Sequence, residues 1–294
     1  MISLLERLYR FIPFRSELYK RFIDTSNHGL KWAVFPEGFR MLLNFDTPNP
    51  ALKKTFYYYK THSHHEPNTA ELFYSSIKEA DIVVDIGANL GYFTLLAAKK
   101  VGRGGAVIAI EPDNINFMYL MANIALNGVS RWTVPKEVAI SDKKGKAKLF
   151  VCPYDSGHHT INQAKGIKDY KDNKDKIKSY EVVTYTLDEF VRLPINVIKI
   201  DAEGAEALIL KGMKKTIKKN KGLKLFIEFF PFLIKRMGNS PQQFIKDLSK
   251  DFAIAIIPQD YNAPYNMIAV KNYKELMGYI KDEKDHLNLF CQHK

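Results

Sequence analysis

The stretch Ile82-Val83-Val84-Asp85-Ile86-Gly87-Ala88-Asn89-Leu90-Gly91-Tyr92-Phe93-Thr94 decides the fold. An apolar, β-branched run ends on an acid, passes through two glycines and opens into a helical pattern. This order predicts a strand, a tight loop and the first turn of a helix. In open α/β sheets, ligands are held at the carboxyl end of such a strand. Three residues separate Gly87 from Gly91, so the loop carries neither the G-x-G-x-x-G dinucleotide fingerprint nor a P-loop lysine.

A second strand is expected at 106–110, ending at Glu111-Pro112-Asp113. An acid about 20 residues beyond a glycine loop commonly accepts hydrogen bonds from ribose hydroxyls, and Glu111 offers two carboxylate oxygens for them. Asp113 reads instead as a helix cap, because Phe117, Leu120, Met121 and Ile124 follow it at helical spacing.

From residue 80 onward strand and helix patterns alternate. Strands are expected at 82–85, 106–110, 132–139, 196–201, 224–229, 253–257 and 265–270, and helices at 91–101, 114–126, 205–219 and 241–250. Such alternation predicts an α/β fold with a Rossmann-like, doubly wound, mostly parallel sheet of seven strands. The last two strands flank a Pro/Asn-rich turn and suit an antiparallel C-terminal hairpin. An irregular, substrate-side insertion is expected at about 141–195, too long for an ordinary connection. Within it, the lysine- and aspartate-rich run 165–180 reads as a mobile loop near the site. Residues 1–60 form an accessory helical segment, and 61–294 the main domain. In the first segment Leu5, Leu8, Tyr9 and Ile12 share one helical face. Packing against the main domain is the favoured reading of that face, with peripheral membrane contact the alternative.

Composition bounds the function. A hydrophobic share of 46% and a charged share of 26% are ordinary for a soluble chain. The two cysteines, Cys152 and Cys291, make neither a disulfide framework nor a metal knuckle, which fits a reducing compartment. No apolar run approaches the ~20 residues that span a bilayer, and Glu6, Arg7 and Arg10 interrupt the first apolar stretch. The expected location is cytoplasmic, with membrane association through the N-terminal segment as the variant. The net charge of +12 lies largely in lysine clusters that read as solvated surface rather than a nucleic-acid face.

Asp85-Ile-Gly-Ala-Asn-Leu-Gly91 and Glu111-Pro112 together resemble the opening motifs of class I S-adenosylmethionine-dependent methyltransferases. Asn123-Ile-Ala-Leu-Asn127-Gly128, Ala139-Ile-Ser-Asp142, Thr186-Leu-Asp-Glu-Phe190, Lys199-Ile-Asp-Ala-Glu-Gly-Ala-Glu206 and Glu228 follow in order. With the upstream Glu66-Pro67, the set resembles the FkbM family of these enzymes over about residues 64–270. The resemblance implies S-adenosyl-L-methionine as cofactor, held by Glu66, Asp85, Gly87, Asn89, Gly91, Glu111 and Asp142. It also implies that the glycines let the backbone approach the methionine part of the cofactor. The implied activity is methylation of a hydroxyl on a sugar, glycan, lipid-linked glycan or secondary metabolite.

The block at 199–206 has a physical reading of its own. In a strand, Lys199, Asp201 and Glu203 alternate onto one face. A buried lysine needs a carboxylate partner, and Glu228 on the adjacent strand is the candidate. Asp201 at the strand tip belongs to the active site, with base and orienting roles both open. A metal on Asp201, Glu203 and a further carboxylate is the less favoured alternative, so no metal is expected. His158 and His159, in the insertion, are alternative bases. His62, His64 and His65 form another cluster, read as exposed and unliganded. Two other functions compete. Nucleic-acid methylation has the basic charge in its favour, but the chain lacks an Asn/Asp-Pro-Pro-aromatic motif and a cysteine placed after proline. A non-catalytic cofactor-binding adaptor is the third reading.

Overall fold

A hairpin precedes the decisive stretch, made of β1 (Leu30–Val34) and β2 (Arg40–Asn44), then helices α1 (Pro50–Thr61) and α2 (Pro67–Ser76). The computed structural model describes residues 29–62, 65–152, 159–161, 178–258, 266–282 and 285–294. The stretch itself folds as β3 (Ile82–Ile86), a loop, and α3 (Tyr92–Val101). Next come β4 (Ala106–Ile110) and α4 (Asn114–Leu126), whose cap Asp113 accepts from the N–H groups of Ile115 and Asn116. The strand expected at 132–139 divides into β5 (Thr133–Lys136) and β6 (Ala139–Ile140). β7 (Gly145–Phe150), β8 (Ser179–Tyr185), α5 (Leu187–Phe190) and β9 (Val197–Ile200) follow. The helix expected at 205–219 breaks at Gly212, its poorest helix former, into α6 (Glu206–Lys211) and α7 (Lys214–Lys219). The described chain closes with β10 (Lys224–Phe229), α8 (Pro231–Arg236), α9 (Pro241–Asp251), β11 (Phe252–Ile257), β12 (Ile268–Val270), α10 (Tyr273–Met277) and β13 (Leu287–His293).

Among the described residues the main sheet has eight strands in the order β12-β11-β13-β10-β9-β3-β4-β5. From β10 to β5 every pairing is parallel; β13 runs antiparallel between β10 and β11. The count exceeds the expected seven by one, the added strand being β13. β11 and β12 pair antiparallel at one edge, as expected of the C-terminal hairpin. The antiparallel strand inside the sheet is β13, which the pattern reading missed. The insertion is also more ordered than expected, since β6, β8 and β7 form a three-stranded sheet of their own. Most of the run 165–180 lies outside the described residues.

Alternation along the strands divides the interior in two. Val84, Ile86, Ile108, Ile198 and Ile200 enter one core, while Val83, Val107, Ala109, Val197 and Phe226 enter the other. The second core also takes Phe35, Phe39 and Met41 from the hairpin region, with Phe56 and Tyr59 from α1. Where they are described, then, the first 60 residues are a hairpin and a helix fused to the domain core, not a helical appendage. The face formed by Leu5, Leu8, Tyr9 and Ile12 lies outside the described residues. No helix among those described is long and apolar enough to cross a membrane.

Candidate active site

After β3 the chain folds over the tip of β4. The N–H groups of Gly87 and Ala88 donate to the Ile110 carbonyl at 2.9 and 3.0 Å. Asn89, at φ +49°, donates its N–H to Glu111 Oε2 at 2.8 Å, and Asp113 donates its N–H to Oε1 at 2.9 Å. Glu111 is thereby locked in place. Burial pushes its pKa up to about 8 against these bonds. The Asn116 side chain also hydrogen-bonds the carboxylate; of the two acceptor sites on each oxygen, one is left for a ribose hydroxyl.

The two loop glycines also have a physical reason within the protein itself. A Cβ on Gly87, at φ +83°, would lie 1.8 Å from the carbonyl oxygen of Asp201. On Gly91, at φ +101°, it would lie 2.8 Å from Leu120 Cδ1. Both glycines therefore let the protein approach itself, at the strand tip and under α3.

The parallel register sets Asp85 of β3 beside Lys199 of β9. Asp85 is buried; its Oδ2 accepts from Thr94 Oγ1 at 2.6 Å, while Oδ1 has no hydrogen-bond partner. Burial raises its pKa, with the nearby Lys199 charge opposing. Lys199 points its ammonium at Asp201 Oδ2, 2.8 Å away, and over the Phe93 ring at 4.3 Å from its centroid. This corrects the expected pairing with Glu228. Burial alone would lower the pKa of Lys199, yet Asp201, Glu66 and Asp85 outweigh it and raise the value. Burial pulls Asp201 upward, but the Lys199 charge and hydrogen bond leave it below the usual carboxylate range.

Glu228, at the tip of β10, behaves oppositely. Burial first, then the charges of Asp201, Glu206 and Glu66, push its carboxyl well above the usual range. Its Oε1 lies 3.5 Å from His286 Nε2, and its Oε2 is buried without a hydrogen-bond partner. One oxygen each from Asp201, Glu203 and Glu228 fall within 4.8 Å of one another, an oxygen set that could serve a hard cation. Lys199 already neutralises one of the three. Glu206 has a structural role: its Oε1 accepts from the N–H groups of Ala202 and Gly204, bracing the loop after β9.

Asp85, Glu111, Lys199, Asp201, Glu203 and Glu228 line a cleft of about 390 Å³ at the carboxyl ends of β3, β4, β9 and β10. Of the residues singled out from the sequence, Glu66, Asp85, Gly87, Asn89, Glu111, His159 and Asp201 line it. Glu66, left-handed at φ +47°, is fixed by Asn288 of β13, whose amide donates to Oε2 at 2.9 Å. Gly91 caps α3 behind the lining, and Asp142 is exposed and does not line the cleft. His158 and His64 lie outside the described residues.

His159 reaches the wall, but its Nδ1 accepts the Cys152 N–H at 3.1 Å while Nε2 faces Asp113 Oδ2 at 3.7 Å. The Nδ1 position is thus committed to the protein. Of the first histidine cluster, His62 is exposed and stacks on Tyr58, with centroids 4.3 Å apart. His65 instead packs its ring against Tyr58, Tyr59 and Tyr92 on the cleft wall, and burial lowers its pKa. The sequence reading missed Asn116 and His286 as lining residues. Asn116 was detectable, since it lies three residues after a predicted cap.

The volume lies in the roughly 300–1,000 Å³ range of small-molecule sites. An unpaired buried oxygen on Asp85 and the remaining acceptor site on Glu111 suit a ligand carrying an ammonium group and a ribose. S-adenosylmethionine has both. Antiparallel β13 between β10 and β11, which run in one direction, with this cleft at the strand tips, defines a class I methyltransferase.

The FkbM methyltransferase domain profile matches residues 85–280, and the chain belongs to that family of S-adenosylmethionine-dependent methyltransferases. Methyltransferase 1 of Beauveria bassiana (strain ARSEF 2860) is 26% identical over 212 residues, which span 65% of this chain and 81% of that protein. The crystal structure of methyltransferase FkbM from Methylobacillus flagellatus KT aligns at a TM-score of 0.44 and 18% identity. That alignment covers 82% of this chain but 53% of the other, so the chain spans about half the length of that protein. An O-methyltransferase from Bacillus cereus, solved in complex with SAH, aligns at a TM-score of 0.42 and 12% identity over 78% of this chain and 80% of that one.

Proposed function

We propose that this enzyme methylates a hydroxyl oxygen on a sugar, glycan, lipid-linked glycan or secondary metabolite. The observation that carries this reading is the opposite displacement of two neighbouring carboxyls, Asp201 downward and Glu228 upward. Acids driven apart in this way suit different tasks in proton transfer. When bound, S-adenosylmethionine supplies a sulfonium-activated methyl group to an oxygen nucleophile. Asp201, held ionised by Lys199, accepts a hydrogen bond from a neighbouring hydroxyl of the acceptor and so orients the reacting oxygen. Glu228 in its ionised form is the stronger base. It would accept the reacting hydroxyl's hydrogen bond and receive that proton as the O–CH₃ bond formed, with the S–CH₃ bond broken and S-adenosylhomocysteine leaving. Glu111 and Asp85 hold the ribose and the ammonium group of the cofactor. Tyr58 and Tyr59 supply apolar wall with polar tips.

Incubation with methyl-labelled cofactor and a panel of sugars, glycans and hydroxylated metabolites, read by mass spectrometry, tests the reading. A labelled methyl ether is expected. Label found only on nitrogen, on carbon or in RNA would overturn it.

A further inference from the structure

Asn123 and Asn127 lie one helical turn apart at the end of α4, so their carboxamides share one face. That face meets the free edge of β2. In an antiparallel pair, alternate residues turn their N–H and C=O groups away from the partner strand. Here those residues are Arg40 and Leu42, which stand opposite Val34 and Trp32 of β1. Asn127 brackets Arg40: its Oδ1 accepts the Arg40 N–H at 2.9 Å and its Nδ2 donates to the Arg40 carbonyl at 2.7 Å. Asn123 Oδ1 accepts the Leu42 N–H at 2.7 Å. Two side chains thus take the place of a further strand on the hairpin.

Asn123 differs from Asn127 in what its other end holds. Its Nδ2 donates at 2.8 Å to the carbonyl of Leu90, in the loop between β3 and α3. Asn123 and Leu90 are both fully buried, so neither bond can be traded for one to solvent. A peptide unit is planar, with its C=O and N–H pointing in opposite directions. The Leu90 carbonyl and the Gly91 N–H belong to one such unit. That N–H donates to the Ala88 carbonyl at 2.9 Å and closes a turn over Asn89 and Leu90. Asn89 sits left-handed in the turn and donates its N–H to Glu111 Oε2. One carboxamide therefore orients the peptide that closes the turn, and the turn orients a donor to the ribose acid. Gly87, Ala88 and Asn89 line the cleft, whereas Asn123 stands behind it.

We propose that Asn123 is a positioning residue of the cofactor site and couples that site to the β1–β2 hairpin. Its donor bond keeps the Leu90–Gly91 peptide from turning over, and its acceptor bond keeps the carboxamide from rotating off that peptide. No residue of β1 or β2 lines the cleft, yet the hairpin is wired into the loop that shapes its ribose end. The hairpin turn also reaches the far side of Gly91, where Tyr92 donates its hydroxyl to Glu37 Oε1 at 3.3 Å. Residues on both sides of Gly91 are therefore tied to the same hairpin. Coupling of this kind is reciprocal: a ligand that stiffens the loop stiffens the hairpin edge by the same free energy. The inference rests on the cofactor site and does not depend on which acceptor is methylated.

Calorimetric titration of the full chain with S-adenosylhomocysteine tests it, each variant being held well below its unfolding temperature. N123L fills a similar volume without hydrogen bonds, and N123D keeps the acceptor for Leu42 while losing the donor to Leu90. Both should weaken binding about tenfold or more, the scale of one buried hydrogen bond left unmade. N127L cuts the Arg40 bracket and leaves the Leu90 bond, so it should lower the unfolding temperature yet bind as the original does. Amide exchange gives a readout on the unmodified chain. Saturation with S-adenosylhomocysteine should slow exchange of the Leu42 N–H, outside the cleft, together with that of Gly91; in saturated N123D the slowing at Leu42 should vanish. The proposal falls if either Asn123 variant binds within about twofold of the original. It falls if N127L weakens binding as much as they do, the mark of a general loss of packing. It falls equally if S-adenosylhomocysteine leaves Leu42 exchange unchanged, and that measurement decides where a variant fails to fold.

Discussion

Lys199 Nζ lies 2.8 Å from Asp201 Oδ2, so the buried lysine of β9 is paired with the acid two residues further along its own chain. The same ammonium is the nearest positive counterweight to Asp85, one strand away in register. A single charge thus serves two carboxylates of the cleft. That sharing explains how a lysine survives inside a parallel sheet, and it ties fold stability to the chemistry at the strand tips.

K199M should therefore destabilise the protein by about 3–5 kcal/mol, the cost of leaving buried carboxylates uncompensated. The double variant K199M/D85N should recover part of the loss, because it removes the more buried of the two orphaned charges. Urea unfolding of the three proteins measures both effects. A K199M protein as stable as the original would show that the pair contributes nothing net.

Methyl transfer should rise with pH as Glu228 ionises. Its pKa is held above the ordinary carboxyl range by burial and by the charges of Asp201, Glu206 and Glu66. Removing one of those charges with D201N should move the rise to lower pH while slowing turnover through loss of orientation. E228Q should slow turnover about 10²-fold and abolish the rise, with cofactor affinity intact. Single-turnover rates against pH separate these outcomes. An E228Q enzyme with an unchanged profile would place the base elsewhere, with His286 the next group to replace.

Much of the cofactor half of the cleft was legible because its signals are local. The run from Val83 to Gly91 carries its strand, loop and helix within a few residues, and Glu111 and Asp113 follow at set distances. The acceptor half depends on contacts that span the chain. Asn288 fixes Glu66 across 222 residues, and His286 meets Glu228 only because β13 inserts between β10 and β11. β13 has no turn signal tying it to either neighbour, and its mixed composition, with Asn288 and Gln292, hides a central strand. Lys199 was readable as a buried lysine in need of an acid. Which acid depended on how far the side chain of Asp201 turns back along the strand, a matter of packing rather than of pattern.

The glycines of the loop make a separable prediction. G87A should destabilise the protein by at least about 2 kcal/mol, combining a left-handed backbone, costly for residues with a Cβ, with a clash against the Asp201 carbonyl. G91A meets only the end of the Leu120 side chain, which can give way, so its cost should be smaller. Thermal unfolding without cofactor is the measurement. If G87A were fully stable and merely failed to bind cofactor, the glycine would be there for the ligand after all.

Glu111 should make stability and cofactor affinity respond to pH in opposite directions. Its folded-state pKa of about 8 lies above the ordinary carboxyl value of about 4.3. A raised value means the folded protein binds the proton more tightly than the unfolded chain. The stability this contributes is present below the ordinary value and is lost as pH rises through about 8. Ribose hydroxyls, in contrast, are best accepted by the ionised carboxylate. Affinity for S-adenosylhomocysteine should therefore climb as pH rises towards about 8 and then level off, with a limiting slope of about tenfold per unit. E111Q should lower stability at every pH, since its amide group places a donor against the N–H of Asn89 or Asp113. It should nevertheless flatten both dependences. Calorimetric titration and urea unfolding across the same buffers supply the two curves. An affinity that stays constant through this window in the unmodified protein would remove Glu111 from the ribose site, even if E111Q bound weakly.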